Sequence, residues 1–302
     1  LAFGTPLFVG AQPGGIYAVV DQSFTTGNIW FVNSATGTNA AGAGRSPLAP
    51  FATIDYAVGN CTASNGDVIY VMPGHAETVS AAGGLDLDVA GITIKGLGSG
   101  SLTPTVTLNT ATTADVDVDA ANITVENIHF RANFADIVAG IDVNAANCTI
   151  RNCRFTAVAT NMNCLIWILG ATSTTSNGLV VENCYCVDKD AANTHFVSFP
   201  GTSDQCVVRN NVLHGDWGTA AIGAAGVVTN ITVTDNVISN AASDNDSCIN
   251  INSSATGIVM RNLACGGAAQ ANGITATACA IAQNYYGVVS EDLSAILEPI
   301  AT

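Results

Sequence analysis

NITVEN (122–127) recurs along the chain. GITIKG (91–96) precedes it, and NCTIRN (147–152), GLVVEN (178–183), QCVVRN (205–210), NITVTD (230–235), GIVMRN (257–262) and the weaker CAIAQN (279–284) follow. Each phrase alternates apolar and polar side chains, the period of a half-buried strand. Its last position advances in steps of 22–31 residues through Gly96, Asn127, Asn152, Asn183, Asn210, Asp235, Asn262 and Asn284. Upstream of the phrase runs a second strand type: LDLDV (85–89), VDVDA (116–120), IDVNA (141–145), LIWIL (165–169), HFVSF (195–199) and AAIGA (220–224). Downstream runs a third: HF (129–130), RF (154–155), YCV (185–187), VLH (212–214) and VIS (237–239). One such unit cannot bury its own inner face, so units must stack. Three short strands per unit predict an all-β fold, a right-handed single-stranded parallel β-helix with short capping helices. A doubly wound α/β fold needs helices between its strands, and the gaps lack a helical period.

Stacking turns the repeat into columns. Lys95, Glu126, Arg151, Glu182 and Arg209 point outward with alternating sign, followed by Thr234 and Arg261. Opposite charges one coil apart attract, which fixes register more than it adds stability. Asn127, Asn152, Asn183, Asn210, Asp235 and Asn262 form the turn row, since Asn tolerates left-handed backbone. Ile123, Cys148, Leu179, Cys206, Ile231 and Ile258 should face inward, as should Phe130, Phe155, Cys186, Leu213, Ile238 and Cys265. Most of the 10 cysteines therefore read as small buried hydrophobes. Cys153 and Cys184 share a column in neighbouring coils, where a disulfide would need suitable geometry.

The 302 residues carry 8 Lys plus Arg against 23 Asp plus Glu, for a net charge of −15. No basic footprint exists for nucleic acid or for an anionic membrane, and no apolar run spans a bilayer. The start shows no basic-then-apolar leader, and Leu1 in place of Met suggests a trimmed or incompletely ordered beginning. The acids concentrate on one outward face. Asp86, Asp117 and Asp142 form one column, Asp88, Asp119 and Asn144 the next, and Asp115 lies at the edge. Like charges about 5 Å apart repel unless neutralised. Calcium at Asp86, Asp88, Asp117, Asp119 and Asp142, donors from a partner subunit, or plain hydration would each answer this. No other cofactor is expected.

No catalytic set stands out. Lys95 and Arg131 are the cations available for proton abstraction beside the acidic face, and Lys95 already has Glu126. His75, His129, His195 and His214 fall in different coils and show no Ser–His–Asp pattern. His195 and His214, with Asp216 and Trp217, mark a candidate sugar-contact region. Four regions are expected: an arm or docking segment (1–30), an N-terminal cap with a helix over 51–61 (31–66), the β-helix (67–288), and a C-terminal cap with a helix over 291–297 (289–302).

IWFVNSATGTNAAGAGRSPLAPFATIDYAV (29–58) and GDVIYVMPGHAETV (66–79) resemble the opening of right-handed parallel β-helix proteins of the pectate-lyase-like superfamily. In that family the segment matching Pro50 to Ile54 leads into the capping helix, and the segment matching Gly66 to Gly74 is the first coil. With GTPLFVGAQPGGIYAVVDQSF (4–24) in front, the opening more narrowly resembles structural proteins of environmental tailed bacteriophages. That resemblance implies a non-enzymatic decoration, fibre or spike on a virion surface, homotrimeric and docked on other virion proteins. The alternatives are a tailspike-like protein that binds or cleaves a host polysaccharide, as a lyase or glycoside hydrolase, and a secreted cell-surface adhesin. The Arg and Lys pattern of pectate lyases is not found.

Overall fold

The computed structural model of the protein describes residues 11–12, 15–16, 25–159, 161–242, 246–267, 270–288 and 298–299. Most of the expected arm and the expected helix over 291–297 lie outside the described residues. The chain coils into a right-handed parallel β-helix. Its walls are three sheets. The first sheet runs from Ile29–Val32 to Ala280–Ala282 and contains every copy of the repeated phrase. The second runs from Ala76–Val79 to Tyr285–Val288, with Glu298–Pro299 added antiparallel at its end. The third runs from Leu85–Asp86 to Ile274–Thr275. At the spacing of neighbouring strands the rod is about 40 Å long.

Residue partners follow the columns through most of the rod. Glu126 lies between Lys95 and Arg151, and Glu182 between Arg151 and Arg209. Lys95 Nζ is 3.6 Å and Arg151 Nη2 2.9 Å from Glu126, and Arg209 Nη2 is 2.6 Å from Glu182. Asn127, Asn152, Asn183 and Asn210 adopt φ values of 53° to 55°, the left-handed corner between the first and second sheets. Phe130 and Phe155 stack in the core at 5.3 Å, and Trp167 and Phe196 meet Phe155 edge-on.

In the last coils the expected register is one residue out. Gly257, not Ile258, lies beside Ile231, and Met260, not Arg261, lies beside Thr234. Ile258 is consequently exposed, Val259 fills the core, and Ala264 replaces Cys265 in the inner row of the second sheet. Asn262 is not in the turn row. Arg261 takes the left-handed corner with φ 56°, and its guanidinium pairs with Asp235 at 2.7 Å.

The cause lies one step inside the corner. The residue after the left-handed position is Ile128, Cys153 and Cys184 in three coils, then Asn211, Asn236, Asn262 and Asn284, all buried. Each of these amide oxygens accepts from the previous coil. The Cys184 N–H donates to Asn211, and the Asn211, Asn236 and Asn262 N–H groups donate to Asn236, Asn262 and Asn284, at 2.9–3.1 Å. Each Nδ2 donates to a carbonyl, those of Val181, Val208, Val233 and Val259, and the first three also donate to the next Asn. A buried amide must be fully paired, so this ladder sets the phase of the last coils.

The opening is capped by a helix of five residues, Ile54–Val58, shorter than expected. Thr53 Oγ1 accepts from the Tyr56 N–H as N-cap, Gly59 ends the helix, and Phe51 is already engaged in a bridge to Val32. Ile54, Ala57 and Val58 are buried on the first coil. All ten cysteines are free thiols, Cys153 and Cys184 included. Burial pushes the Cys61 and Cys248 thiols up to about 12.

Candidate functional site

The acidic face is the outer surface of the third sheet at its N-terminal end. Leu85, Val116 and Ile141 point into the core, which aims Asp86, Asp117 and Asp142 outward as direct neighbours in successive coils. Asp88 and Asp119 lie two residues further on and are exposed. The Gly83 N–H donates to Asp115 Oδ1 at 2.7 Å, and Asn144 Nδ2 donates to Asp119 Oδ1 at 3.2 Å. Asp86 Oδ1 is buried with no hydrogen-bond partner. The column ends at Asp142, whose neighbour in the next coil is Leu169.

Crowding changes the chemistry of these groups. Partial burial, then the charges of Asp115, Asp119, Asp142 and Asp86, push Asp117 up to about 6. Burial and neighbouring carboxylates also raise Asp86 and Asp142. Burial raises Asp115 as well, against the Gly83 hydrogen bond. Asp117 thus takes up its proton about two pH units above an ordinary Asp, beside exposed acidic groups. Such a split is how carboxyl pairs divide acid and base roles. Alternate residues of one strand, such as Asp117 and Asp119, are about 6.6 Å apart, at the lower end of the carboxyl separation of about 6.5–9.5 Å in inverting glycosidases.

Among the described residues no three His, Cys, Asp or Glu side chains are grouped to hold a metal ion. Lys95 and Arg131 lie on the first and second sheets, away from the acidic face. Trp217 is 0% exposed and packs under Gly215, so it offers no platform to a sugar, and the expected contact region loses its aromatic surface.

Two groups escaped the sequence reading. Asp188 is buried, its Oδ2 accepts from Trp167 Nε1 at 3.0 Å, and its Oδ1 has no partner. Burial, opposed by hydrogen bonds, pushes it up to about 6. An Asp within YCVDKD (185–190) gives no sign that it turns inward. The other group is a cationic and aromatic cluster on the second sheet, formed by His129, Arg131, Arg154 and Tyr185. Its members are scattered over 57 positions (129 to 185) and come together only when three coils are stacked. Among the described residues no helix is long and apolar enough to cross a membrane.

No protein-family model and no curated protein matches the chain. Two solved structures are similar in shape. One is titled rhamnogalacturonan lyase, at 12% identity and TM-score 0.44, covering 79% of this chain and 74% of that one. The other is a GH136 lacto-N-biosidase from Eubacterium ramulus, at 10% identity and TM-score 0.34, covering 87% of this chain and 68% of that one. At these identities neither likeness carries a residue's role or a substrate to this chain. Both titles name carbohydrate-active enzymes and neither names a virion component, so the expectation of a non-enzymatic virion protein finds no support in them.

Proposed function

We propose that the chain is a glycan-cleaving β-helix that works outside the cell, with the acidic face of the third sheet as its reaction centre. The carrying observation is Asp117, a carboxyl raised to about 6 among stacked neighbours. In this reading Asp117 donates the proton to the leaving oxygen, and the exposed Asp119 takes a proton from the water that attacks the sugar carbon. Partial burial, then the charges of Asp115 and Asp119 and those of Asp142 and Asp86 one coil to either side, strengthen the hold of Asp117 on its proton. General acid catalysis by such a group contributes about 10²–10⁴-fold.

The test is a panel of neutral and acidic polysaccharides, scored for new reducing ends and for unsaturated products. The expected result is cleavage of one class, lost about 100-fold or more in Asp117→Asn. The rate should fall as pH rises through about 6, where Asp117 gives up its proton. No cleavage of any panel member, or full activity in Asp117→Asn, sinks the reading. Calcium at the same five carboxylates is carried forward as a separate proposal, read as a rise in Tm with added Ca²⁺ that Asp117→Asn abolishes. Side-by-side assembly of the rods is likewise a proposal, for sedimentation to decide.

A further inference from the structure

The outer face of the second sheet holds a cluster of a different kind. His129, Arg154 and Tyr185 stand in one outward column, each in the next coil, and Arg131 and Thr156 are neighbours in the adjacent column. Arg154 carries its guanidinium 5.4 Å from the centre of the Tyr185 ring. The Tyr185 ring meets the His214 ring edge-on at 6.1 Å. His129 Nε2 lies 2.8 Å from Thr156 Oγ1.

Of the eight Lys and Arg, Lys95, Arg151, Arg209 and Arg261 have carboxylate partners, while Arg45 and Lys189 have none among the described residues and stand outside this cluster. Arg131 and Arg154 have none among the described residues, although acids outnumber bases 23 to 8 in the chain. Both guanidinium groups are close enough to His129 that, after burial, their charges help push it down to about 4. Two like charges held together without a counter-charge are unfavourable. Arg131 is half-buried and Arg154 exposed, so their donors face solvent with no protein acceptor. A guanidinium binds carboxylate or sulfate oxygens through two parallel hydrogen bonds. The exposed Tyr185 ring adds a flat apolar surface with a polar tip at the edge of the same cluster.

We infer that Arg131 and Arg154 form a binding site for the carboxylate or sulfate group of an acidic sugar unit whose ring packs on Tyr185. The anion-binding part follows from the two unpaired guanidinium groups, and that a sugar carries the anion rests on the proposed function. The site lies on the second sheet and is separate from the acidic face of the third. Long acidic glycans would be held there by one unit while the acidic face acts on another stretch or another chain.

Calorimetric titration on the full chain tests this with four probes: a uronate trisaccharide, a sulfated disaccharide, the uncharged maltotriose and sodium sulfate. The expected result is that one acidic saccharide binds and maltotriose does not. Arg131→Gln with Arg154→Gln should weaken that binding about tenfold or more, and Tyr185→Ala should weaken it several-fold. Both variants change outward side chains, and unchanged circular dichroism verifies their fold. If neither acidic saccharide binds more tightly than sulfate, or if the double variant keeps wild-type affinity, the inference is overturned. Cleavage by the double variant at saturating neutral substrate is measured alongside. Loss of the second-sheet site and loss of the Asp117 chemistry are thereby distinguished.

Discussion

Asn210 and Asn211 are adjacent and chemically identical, yet they do different work. Asn210 occupies the exposed left-handed corner, where Asn→Ala forfeits local backbone preference and costs about 1–2 kcal/mol. Asn211 and its counterpart Asn236 are buried in the amide ladder. Asn236→Ala strips acceptors from the Asn211 amide groups and a donor from Val208 O and Asn262, for a cost of about 2–5 kcal/mol. Urea unfolding of the two Ala variants should separate them by that difference. The corner row was legible in the sequence because Asn recurs there. The ladder was not, because the same residue type served both rows and alignment on the last Asn merged them. The pairs Asn210-Asn211, Asp235-Asn236, Arg261-Asn262 and Gln283-Asn284 carry the missing signal.

Titration acts in two opposed directions at this scale. Asp188, raised to about 6, contributes stability that is complete below its unfolded value and is lost as pH rises through about 6. His195, which burial lowers to about 4, contributes stability that is complete above its unfolded value and is lost as pH falls from about 6.5 to about 4. Asp188→Asn keeps an oxygen for Trp167 and should raise Tm at pH 8 more than at pH 5. His195→Gln should instead help most near pH 4. Its ring lies against Gly223, where any Cβ would sit 2.4 Å from His195 Cδ2, which accounts for the Gly within AAIGA (220–224). Thermal scans from pH 4 to 8 check both signs.

Among the elements, the first sheet depends on its external charges for phase. Glu126 is held between Lys95 and Arg151, so Glu126→Gln removes two weak pairs at about 0.2–1 kcal/mol each. Glu126→Lys stacks three cations and should lower Tm further, with the loss shrinking as salt is raised. A Glu126→Lys penalty that ignores salt contradicts this account. Alternation of sign made the column readable from sequence, since no other register brings these charges together. The second sheet shows the converse. Its outer column is polar at Thr105, His129 and Arg154, then turns apolar through Tyr185, Val212, Val237, Leu263 and Tyr285. Segments of two or three residues such as RF and VIS are too short to show on which side each residue falls. The cationic cluster at the junction was therefore invisible until coils were stacked.

The whole molecule is a one-dimensional stack in which each coil is stabilised by its two neighbours. Opening should begin at the ends. Amide exchange is expected to be slowest in the central strands, such as Cys164–Gly170 and His195–Phe199, and to quicken toward the cap helix and toward Tyr285–Val288. Uniform protection along the rod would contradict this picture. At this scale the fold was legible because the repeat encodes stacking directly. The proposed reaction centre was legible only as a crowd of acids, since the composition shows charge but not which carboxyl is crowded and buried enough to be raised to about 6.

The row just inside the corner changes from alkyl and thiol groups at Ile128, Cys153 and Cys184 to amides at Asn211, Asn236, Asn262 and Asn284. Dispersion is non-directional and tolerates small slips, whereas paired amides do not. The spine is thus two materials joined end to end. Under tension along its axis, the N-terminal half should stretch and yield gradually, and the C-terminal half should hold rigid and then fracture.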